Sequence, residues 1–349
     1  MTAVSAVEAA PGGGLAAGQL SCYTAALARY LESAYEDSLT RVARSIRLAV
    51  RTDLPGGMIA FSHHGIPLSD LGGGRCLAYR GATAPAELLA SLESELRVGF
   101  GVIAVTYTAA MDWSVADEEE NAPHFVCLLA REHGRWLVDD PFAALLPSGQ
   151  QEPFRGWIPT GQLIRAMTPP RRLGAEYRLR TQYVFGFAVP LPPDHEYSWL
   201  VRTPEVTGLV RPRPPGWITS HAGALDYLSD FWSGAAGHPD RVRFLDDMWA
   251  CARHHAFRCA HLITRHPLDP ADRKAAAAAR DAWQELPMAL RFAVDSAVRG
   301  RSRPTLVTSM FDRLRELEDN LAPVLAGHGY GEAGGYADDG ARLPGRKEK

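Results

Sequence analysis

Three residues of the chain have the types and the order needed for thiol chemistry. Cys22 stands at the start of a predicted helix, His124 opens a predicted strand, and Asp140 ends the next strand, just before Pro141. A thiol attacks as its thiolate, and the unpaired amides and positive dipole end of a helix N-terminus stabilise that anion. An imidazole takes up the thiol proton when an acceptor orients its other nitrogen. The three residues therefore predict covalent catalysis through Cys22.

The segment HFVCLLAREHGRWLVDDP predicts how the histidine and the carboxylate meet. Its two apolar runs are joined by a turn at residues 132–135, which is typical of a β-hairpin. Because a hairpin returns the chain along itself, His124 and Asp140, sixteen residues apart at opposite strand ends, are expected to be neighbours. Asp139 competes with Asp140, since adjacent strand residues face opposite sides and only one of them can meet the imidazole.

The elements that must position these residues predict an α+β fold. Ser21 can cap the helix that begins at Cys22, and apolar residues recur along that helix at three- and four-residue steps. Further helices are predicted at residues 42–50, 85–96 and 160–167, and strands at residues 58–62, 76–79, 101–107 and 181–191. The C-terminal part predicts four helices, at residues 221–233, 239–265, 270–298 and 304–325.

Composition divides the chain into five predicted parts. A proline-rich connection that cannot be a central strand or helix separates a catalytic domain from an all-α helical domain, and both chain ends are expected to be flexible. The predicted bounds are 1–17 for the flexible N-terminus, 18–192 for the catalytic domain, 193–216 for the connection, 217–328 for the helical domain and 329–349 for a disordered tail.

Charge and composition exclude several classes of function. The chain has 349 residues, a net charge of −3 and scattered arginines, which argues against binding to nucleic acid. No apolar run approaches the length of about 20 residues that spans a bilayer, and the N-terminus lacks a signal-like segment. The five cysteines are too sparse for a disulfide framework. We therefore expect a cytoplasmic protein with free thiols and no membrane contact.

The order of nucleophile, histidine and carboxylate resembles that of papain-like cysteine enzymes. The pattern of HFV, a turn and DDP is similar to the bacteriocin-processing cysteine peptidases and, more closely, to the family named after butirosin biosynthesis protein H. The resemblance covers residues 18–190 and, more loosely, residues 217–325. It implies a papain-like domain, with the N-terminal helix packed on an antiparallel sheet, followed by an all-α domain.

The resemblance also implies an activity and its partners. The named family member belongs to antibiotic biosynthesis and moves an acyl group from a carrier-protein thioester to an amine. The expected partners are therefore an acyl or peptidyl carrier protein with its phosphopantetheine arm and a small-molecule amine acceptor, and no cofactor of the enzyme itself is expected. The residue before proline matches the family pattern, so the expected catalytic residues are Cys22, His124 and Asp140 rather than Asp139.

Several residues are candidates for supporting roles. Gln19, three residues before the nucleophile, and the backbone amide of Cys22 are the expected oxyanion donors. Tyr23, His64 and Glu120 are candidates for substrate contact. For His63-His64, an exposed loop is the favoured alternative, and for the acidic run that ends at Glu120 the alternative is a solvated loop.

A rival site lies in the motif CARHHAFRCAH of the helical part. Cys251, His255 and Cys259 are spaced four residues apart and share one helix face, so two or three of them could bind zinc. No CxxC motif or second histidine pair completes the ligand set, so a packed helix face is favoured and no metal is expected.

Three hypotheses of function follow from these patterns. The first is an acyltransferase that forms an acyl-Cys22 intermediate and releases an amide. The second is a thioesterase, cyclase or cysteine peptidase that uses the same three residues. The third is a catalytically inactive binding module.

Overall fold

The computed structural model describes residues 20–64, 75–99, 101–116, 121–146, 148–186, 189, 196–204, 215–234 and 239–330. They form an α+β fold with antiparallel sheets and a helical C-terminal region. The helices are α1 Cys22–Glu32, α2 Ser38–Ser45, α3 Pro85–Val98, α4 Thr160–Met167, α5 Ala175–Tyr183, α6 His221–Ser233, α7 Leu245–Arg265, α8 Pro270–Val298 and α9 Pro304–Gly327. Among these described residues, no helix is both long enough and apolar enough to cross a membrane.

Eight of the eleven described strands belong to the main sheet and to a short hairpin beside it. The strands are β1 Ile46–Arg51, β2 Ala60–His64, β3 Arg75–Ala82, β4 Val102–Tyr107, β5 Pro123–Glu132, β6 Arg135–Asp140, β7 Ala144–Leu146, β8 Gly149–Gln151, β9 Phe154–Pro159, β10 Tyr197–Pro204 and β11 Trp217–Ile218. The main sheet has the order β3-β10-β4-β5-β6-β9, and β7 pairs with β8. The other three strands form a small sheet in the order β11-β1-β2.

The main sheet is covered on both faces, and strand β5 shows how. Phe125 and Cys127 belong to the hydrophobic cluster that contains α1, whereas Val126 and Leu128 belong to the cluster that contains residues of α3 and α4. This alternation is the two-residue period of a strand. It explains why HFVCLL is apolar throughout, and it places α1 against the middle of the sheet.

The helical region shares its core with the sheets. Ala250 and Phe257 of α7 belong to the same buried cluster as Leu27 of α1. Leu48 and Phe61 of the small sheet belong to a second cluster whose other members come mainly from the helical region. The parts predicted as separate domains therefore pack through continuous apolar surfaces.

The hairpin of β5 and β6 has two irregular features that set its register. Its two-residue turn consists of His133 and Gly134, which have φ values of 48° and 72°, as required at both central positions of a type I′ turn. Within β5, the pairing shifts by one residue between Leu128 and Ala130, so Leu129 is an extra residue in a β-bulge.

Most predicted elements agree with the structure, particularly in the C-terminal part. The predicted helices at residues 160–167, 221–233 and 270–298 have the observed bounds, and the hairpin that carries His124 and Asp140 is confirmed. The helix predicted at residues 42–50 is wrong after Ser45, because strand β1 begins at Ile46. The flexible N-terminus at residues 1–17 lies outside the described residues. Of the predicted tail, Gly329 and Tyr330 are described, and Tyr330 is buried against the helices.

Two further predictions about the sheet are wrong and have one common reason. The strand predicted at residues 181–191 begins inside helix α5, which extends to Tyr183. The predicted connection at residues 193–216 contains β10, an interior strand that pairs with β3 over eight residues and also with β4. The apolar run YSWLV thus takes the interior place in the sheet, and the only proline of β10 is its last residue, Pro204, where a proline disturbs the pairing least.

We predict that Gly101 is required for the contact between β4 and β5, which positions His124. Gly101 has a φ of +72°, and an added Cβ would lie 2.7 Å from the carbonyl oxygen of Leu128. Gly99 is a matched control because its φ is +98° and an added Cβ would meet nothing within 4 Å. Gly99→Ala is expected to lower the free energy of unfolding by about 1 kcal/mol from backbone strain. Gly101→Ala is expected to cost about 2–4 kcal/mol because the clash is added to that strain. Equal losses in urea denaturation would contradict the close approach.

Candidate active site

The first element of the site is the N-terminus of α1. Cys22 is its first residue and is half-buried, while the N-cap Ser21 accepts a hydrogen bond from the amide of Thr24 at 3.4 Å. The first amides of a helix have no partners within the helix, so the Cys22 sulfur and backbone N–H stand at a site that favours negative charge. Gln19, the other expected oxyanion donor, lies outside the described residues.

The second element is the buried pair of His124 and Asp140. Nε2 of His124 lies 2.8 Å from Oδ2 of Asp140, and the two side chains are 4% and 0% exposed. Since Nε2 donates to the carboxylate, Nδ1 is the ring nitrogen left to interact with a thiol. His124 does interact with Cys22, so the structure brings together the three residues that the sequence predicts. Cys22 is the member of this triad that reaches solvent.

The β-bulge in the hairpin decides which aspartate meets the imidazole. In the observed register Cys127, which faces α1, pairs with Asp139, and Asp139 accordingly contacts Arg29 of α1 at 2.7 Å. Asp140 therefore faces the opposite side, as His124 does. If Leu129 were paired regularly with Val138 instead of bulging out, the turn register would pair Cys127 with Asp140 and reverse the two aspartates. The choice of Asp140 over Asp139 agrees with this geometry.

Electrostatics at the site favour a charged imidazole. Burial alone lowers the pKa of His124, but the negative charge of Asp140 and then that of Cys22 outweigh it and raise the pKa to about 10. The folded-state pKa is above the unfolded value of about 6.5. The stability that the imidazolium contributes is therefore complete below pH 6.5 and is lost as the pH rises through about 10. At neutral pH the imidazole of His124 is therefore protonated and faces Cys22 as a cation.

Two further groups hold the carboxylate of Asp140 in place. The indole Nε1 of Trp113 donates to Oδ2 at 3.0 Å, and the amide of Phe142 donates to Oδ1 at 3.1 Å. Trp113 in turn stacks on Phe154 with ring centroids 4.4 Å apart. Both carboxylate oxygens thus have fixed donors besides His124. The sequence analysis missed Trp113, which lies in a loop with no motif to mark it.

The helical region borders the site through α7. Arg253 interacts electrostatically with Cys22, and its guanidinium lies 4.2 Å from the centre of the Trp249 ring. Its Nη2 also donates to the carbonyl oxygen of Ala143 at 3.4 Å, just beyond the end of β6. Burial lowers the pKa of Arg253 to about 10, and the charge of Cys22 partly opposes this shift. A desolvated cation near a cysteine thiol is a feature typical of active sites, and no local pattern in the sequence predicts it.

Two buried histidines, His64 and His254, form hydrogen bonds at the N-terminal end of α1. Nε2 of His254 lies 2.8 Å from Oγ of the N-cap Ser21, and His64 is hydrogen-bonded to Thr24 at 3.1 Å and to Ser45 at 2.9 Å. Burial lowers the pKa of His64 to about 3, which keeps the ring neutral at physiological pH. His63 is buried as well, so the favoured expectation of an exposed His63-His64 loop is wrong.

The two substrate-contact candidates that the structure describes, Tyr23 and His64, are both buried. Tyr23 is buried and stacks on His63, and His64 bridges α1 and α2 through its hydrogen bonds. Glu120 lies outside the described residues. The positions of Tyr23 and His64 fit support of the nucleophile helix better than contact with a substrate.

The remaining cysteines occupy different surroundings. All five cysteines are free thiols, and Cys127, Cys251 and Cys259 are buried. Burial raises the pKa of each of these three thiols, that of Cys259 to about 12. They are therefore protonated at neutral pH, which leaves Cys251 and Cys259 as packed residues of α7, as the sequence analysis favoured.

Comparisons with known proteins add no relative to these observations. No model of a known protein family matches the chain, and no curated protein matches it. The functional argument therefore rests on the geometry of the site.

We predict that Asp140→Asn lowers the pKa of His124 and thereby slows the reactions of the Cys22 thiol. The charge of Asp140 is the main influence that raises the pKa of His124. Its loss lowers that pKa, so the imidazolium is lost at a lower pH. Alkylation of Cys22 by iodoacetamide, followed by intact mass as a function of pH, is expected to slow about 10–100-fold near pH 7.

Asp139→Asn is the matched control for this experiment. It removes one carboxylate from the adjacent position of the same strand, and Arg29 keeps its ion pair with Glu32. Alkylation of Cys22 is expected to remain within about twofold of the wild-type rate, since Asp139 faces away from the imidazole. Equal slowing in both variants would refute the assignment of Asp140.

Proposed function

We propose that the chain is a cysteine-dependent acyltransferase with a papain-like catalytic arrangement. The observation that carries the proposal is the interaction of the half-buried Cys22, at a helix N-terminus, with an imidazole that is paired with Asp140 at 2.8 Å. Nucleophile, base and orienting carboxylate in this order are the requirements of covalent thiol catalysis. The resemblance to the family of butirosin biosynthesis protein H suggests a carrier-protein thioester as donor and an amine as acceptor.

The proposed reaction has two steps. The Cys22 thiolate attacks the thioester carbonyl carbon, the backbone amide of Cys22 stabilises the oxyanion, and the carrier thiol leaves with the proton of His124. An amine then attacks the acyl-Cys22 carbonyl, and His124 takes up the amine proton as the amide forms. The Cys22 thiolate is the leaving group of the second step, which restores the starting pair. The two thioesters have similar energies, so the first step needs little driving force.

Arg253 has a place in this mechanism. Its partly desolvated guanidinium lies on the side of the site formed by α7 and interacts with Cys22. A fixed positive charge stabilises both the thiolate and the oxyanion, and its effect is stronger where water is excluded. The helical region thus supplies a charged group to the reaction, in addition to surface for the acyl chain or the carrier protein.

The cellular setting of this proposal is the cytoplasm. All five cysteines are free thiols, and free thiols are stable in reducing compartments. Carrier proteins and small-molecule amines are also available there as substrates. We place the reaction in a biosynthetic pathway for an antibiotic or related secondary metabolite.

The proposal predicts a covalent acyl-Cys22 intermediate that is discharged by amines. The full-length protein is mixed with acyl groups on carrier-protein phosphopantetheine, and its intact mass is measured. We expect one acyl group to be added and a Cys22→Ala variant to remain unmodified. Addition of amines is expected to release an amide and restore the original mass.

Other outcomes of this experiment would identify the competing functions. Release of free acid at the same rate with and without amine would favour a thioesterase, and cleavage of peptides would favour a peptidase. Release of a cyclic product would favour a cyclase. If the wild-type protein is neither acylated nor alkylated at Cys22, acyl transfer is refuted and a binding module is favoured.

We further predict that Arg253→Gln slows the acylation of Cys22 without weakening the fold. The rate is expected to fall about tenfold, which corresponds to about 1.4 kcal/mol of transition-state stabilisation. The unfolding temperature should stay the same or rise, because the variant no longer buries a charge. Arg265→Gln, at the exposed end of the same helix, is the matched control and is expected to acylate at the wild-type rate. Equal rates in the two variants would exclude a role for Arg253.

A further inference from the structure

A second cluster of chemically active side chains lies in the helical region. His221 is the first residue of α6, His255 lies in the middle of α7, and Glu318 lies on α9. One ring nitrogen of each histidine and a carboxylate oxygen all lie within 4.8 Å of one another. Nε2 of His221 is 3.6 Å from Oε2 of Glu318, which is too long for a hydrogen bond.

The two imidazoles of this cluster have buried nitrogens without hydrogen-bond partners. Nε2 of His221 and Nδ1 of His255 are both unpartnered, and His255 is only 1% exposed. An unpaired polar group in a protein interior costs free energy, so such groups call for an explanation. Burial lowers the pKa of His221 to about 4 and that of His255 well below its usual value. An imidazole nitrogen without a hydrogen-bond partner can serve as a ligand to a metal ion.

The carboxylate of Glu318 is already oriented and charged. Burial raises its pKa, but the nearby Arg258 outweighs that effect and lowers the pKa overall. Nη2 of Arg258 donates to both carboxylate oxygens, at 2.8 and 2.6 Å, and the indole of Trp283 also donates to Oε1. Hydrogen-bonded carboxylates of this kind are common ligands, because the outer donors fix the carboxylate while leaving a lone pair free.

We propose that His221, His255 and Glu318 bind one divalent transition-metal ion, with zinc as the best match, and that this ion ties α6, α7 and α9 together. Two imidazoles and one carboxylate are a ligand set that zinc uses with three protein ligands and one open position. Ligand atoms around a tetrahedral zinc lie about 3.4 Å apart, so the present separations close with small side-chain movements. The His221 side chain is 28% exposed, so the cluster lies close to the protein surface.

Arg258 influences which ion the site would hold. Its positive charge beside Glu318 partly neutralises the carboxylate. This weakens the binding of hard cations such as magnesium and calcium, which depend on the negative charge of oxygen ligands. Binding through two imidazoles is less affected, and imidazole ligands favour zinc and its neighbours in the transition series. The chemistry of the cluster therefore points to a nitrogen-rich transition-metal site rather than to an acidic one.

This site differs from the cysteine-containing motif that the sequence suggested. His255 belongs to both, but its partners come from α6 and α9 instead of from Cys251 and Cys259 of its own helix. Those two thiols are buried and protonated at neutral pH, which makes them poor ligands. The other candidate ligands of His255, which are His221 and Glu318, lie more than thirty positions away from it in the sequence.

The test measures zinc binding to the full chain in a Cys22→Ser background, so that the thiol of the active site cannot bind the ion. The protein is stripped with a chelator, desalted and titrated with zinc by calorimetry, and its unfolding temperature is measured with and without zinc. We expect one ion per chain and a higher unfolding temperature with zinc. His221→Ala and His255→Ala should weaken binding by more than about 100-fold, since loss of an outer partner alone costs about 10–100-fold.

His133→Asn is the matched control, because it removes an exposed histidine from the hairpin turn, where asparagine suits the positive φ. It is expected to bind zinc as the parent protein does. Substitution with cobalt is expected to give a spectrum without thiolate-to-metal charge transfer.

The proposal is overturned by any of three results. These are no zinc binding in the parent protein, unchanged affinity in His221→Ala, or a cobalt–thiolate band that assigns the ion to a cysteine. If His255→Ala does not fold, His221→Ala decides the question. The His221 side chain is 28% exposed, so its removal leaves the core intact.

Discussion

The register of the β5–β6 hairpin is the constraint on which the candidate site depends. A two-residue turn with positive φ at His133 and Gly134 fixes one end, and the extra residue Leu129 shifts the pairing beyond it. A one-residue change of register moves every side chain of a strand to the opposite face. The bulge therefore turns Asp140 toward His124 and leaves Asp139 to Arg29. Bulges are frequent beside active sites because they redirect side chains in this way.

The pairing of His124 with Asp140 is not by itself a strong source of stability. Both side chains are almost fully buried, and the cost of removing two charges from water can exceed their attraction. The protein limits this cost by giving the carboxylate two other donors, Trp113 and the amide of Phe142. The result is an imidazolium fixed in position beside the half-exposed Cys22. A preorganised charge of this kind acts on a reacting group without further rearrangement.

The sequence predicted the grouping of Cys22, His124 and Asp140 because each of these residues stands at the end of a regular element, where local patterns are easiest to interpret. The apolar periodicity of residues 221–233 and 270–298 likewise predicted two helices with their observed bounds. The place of β10 in the sheet depends on pairing with β3 and β4, which are distant in sequence. The prolines that flank β10 indicated a connection instead of a strand. Trp113, Arg253 and His254 could not be predicted, because their roles arise from contacts that no local pattern encodes.

Helix α7 makes the helical region part of the site. On one side, His254 holds the N-cap Ser21 and Arg253 interacts with Cys22. On an adjacent side, His255 stacks on Trp283 and belongs to the cluster with His221 and Glu318. Neighbouring residues of a helix differ by about 100° in direction, so His254 and His255 connect α7 to two different surroundings. Contacts that hold α7 among the C-terminal helices therefore also hold Arg253 and His254 in place near Cys22 and its N-cap Ser21.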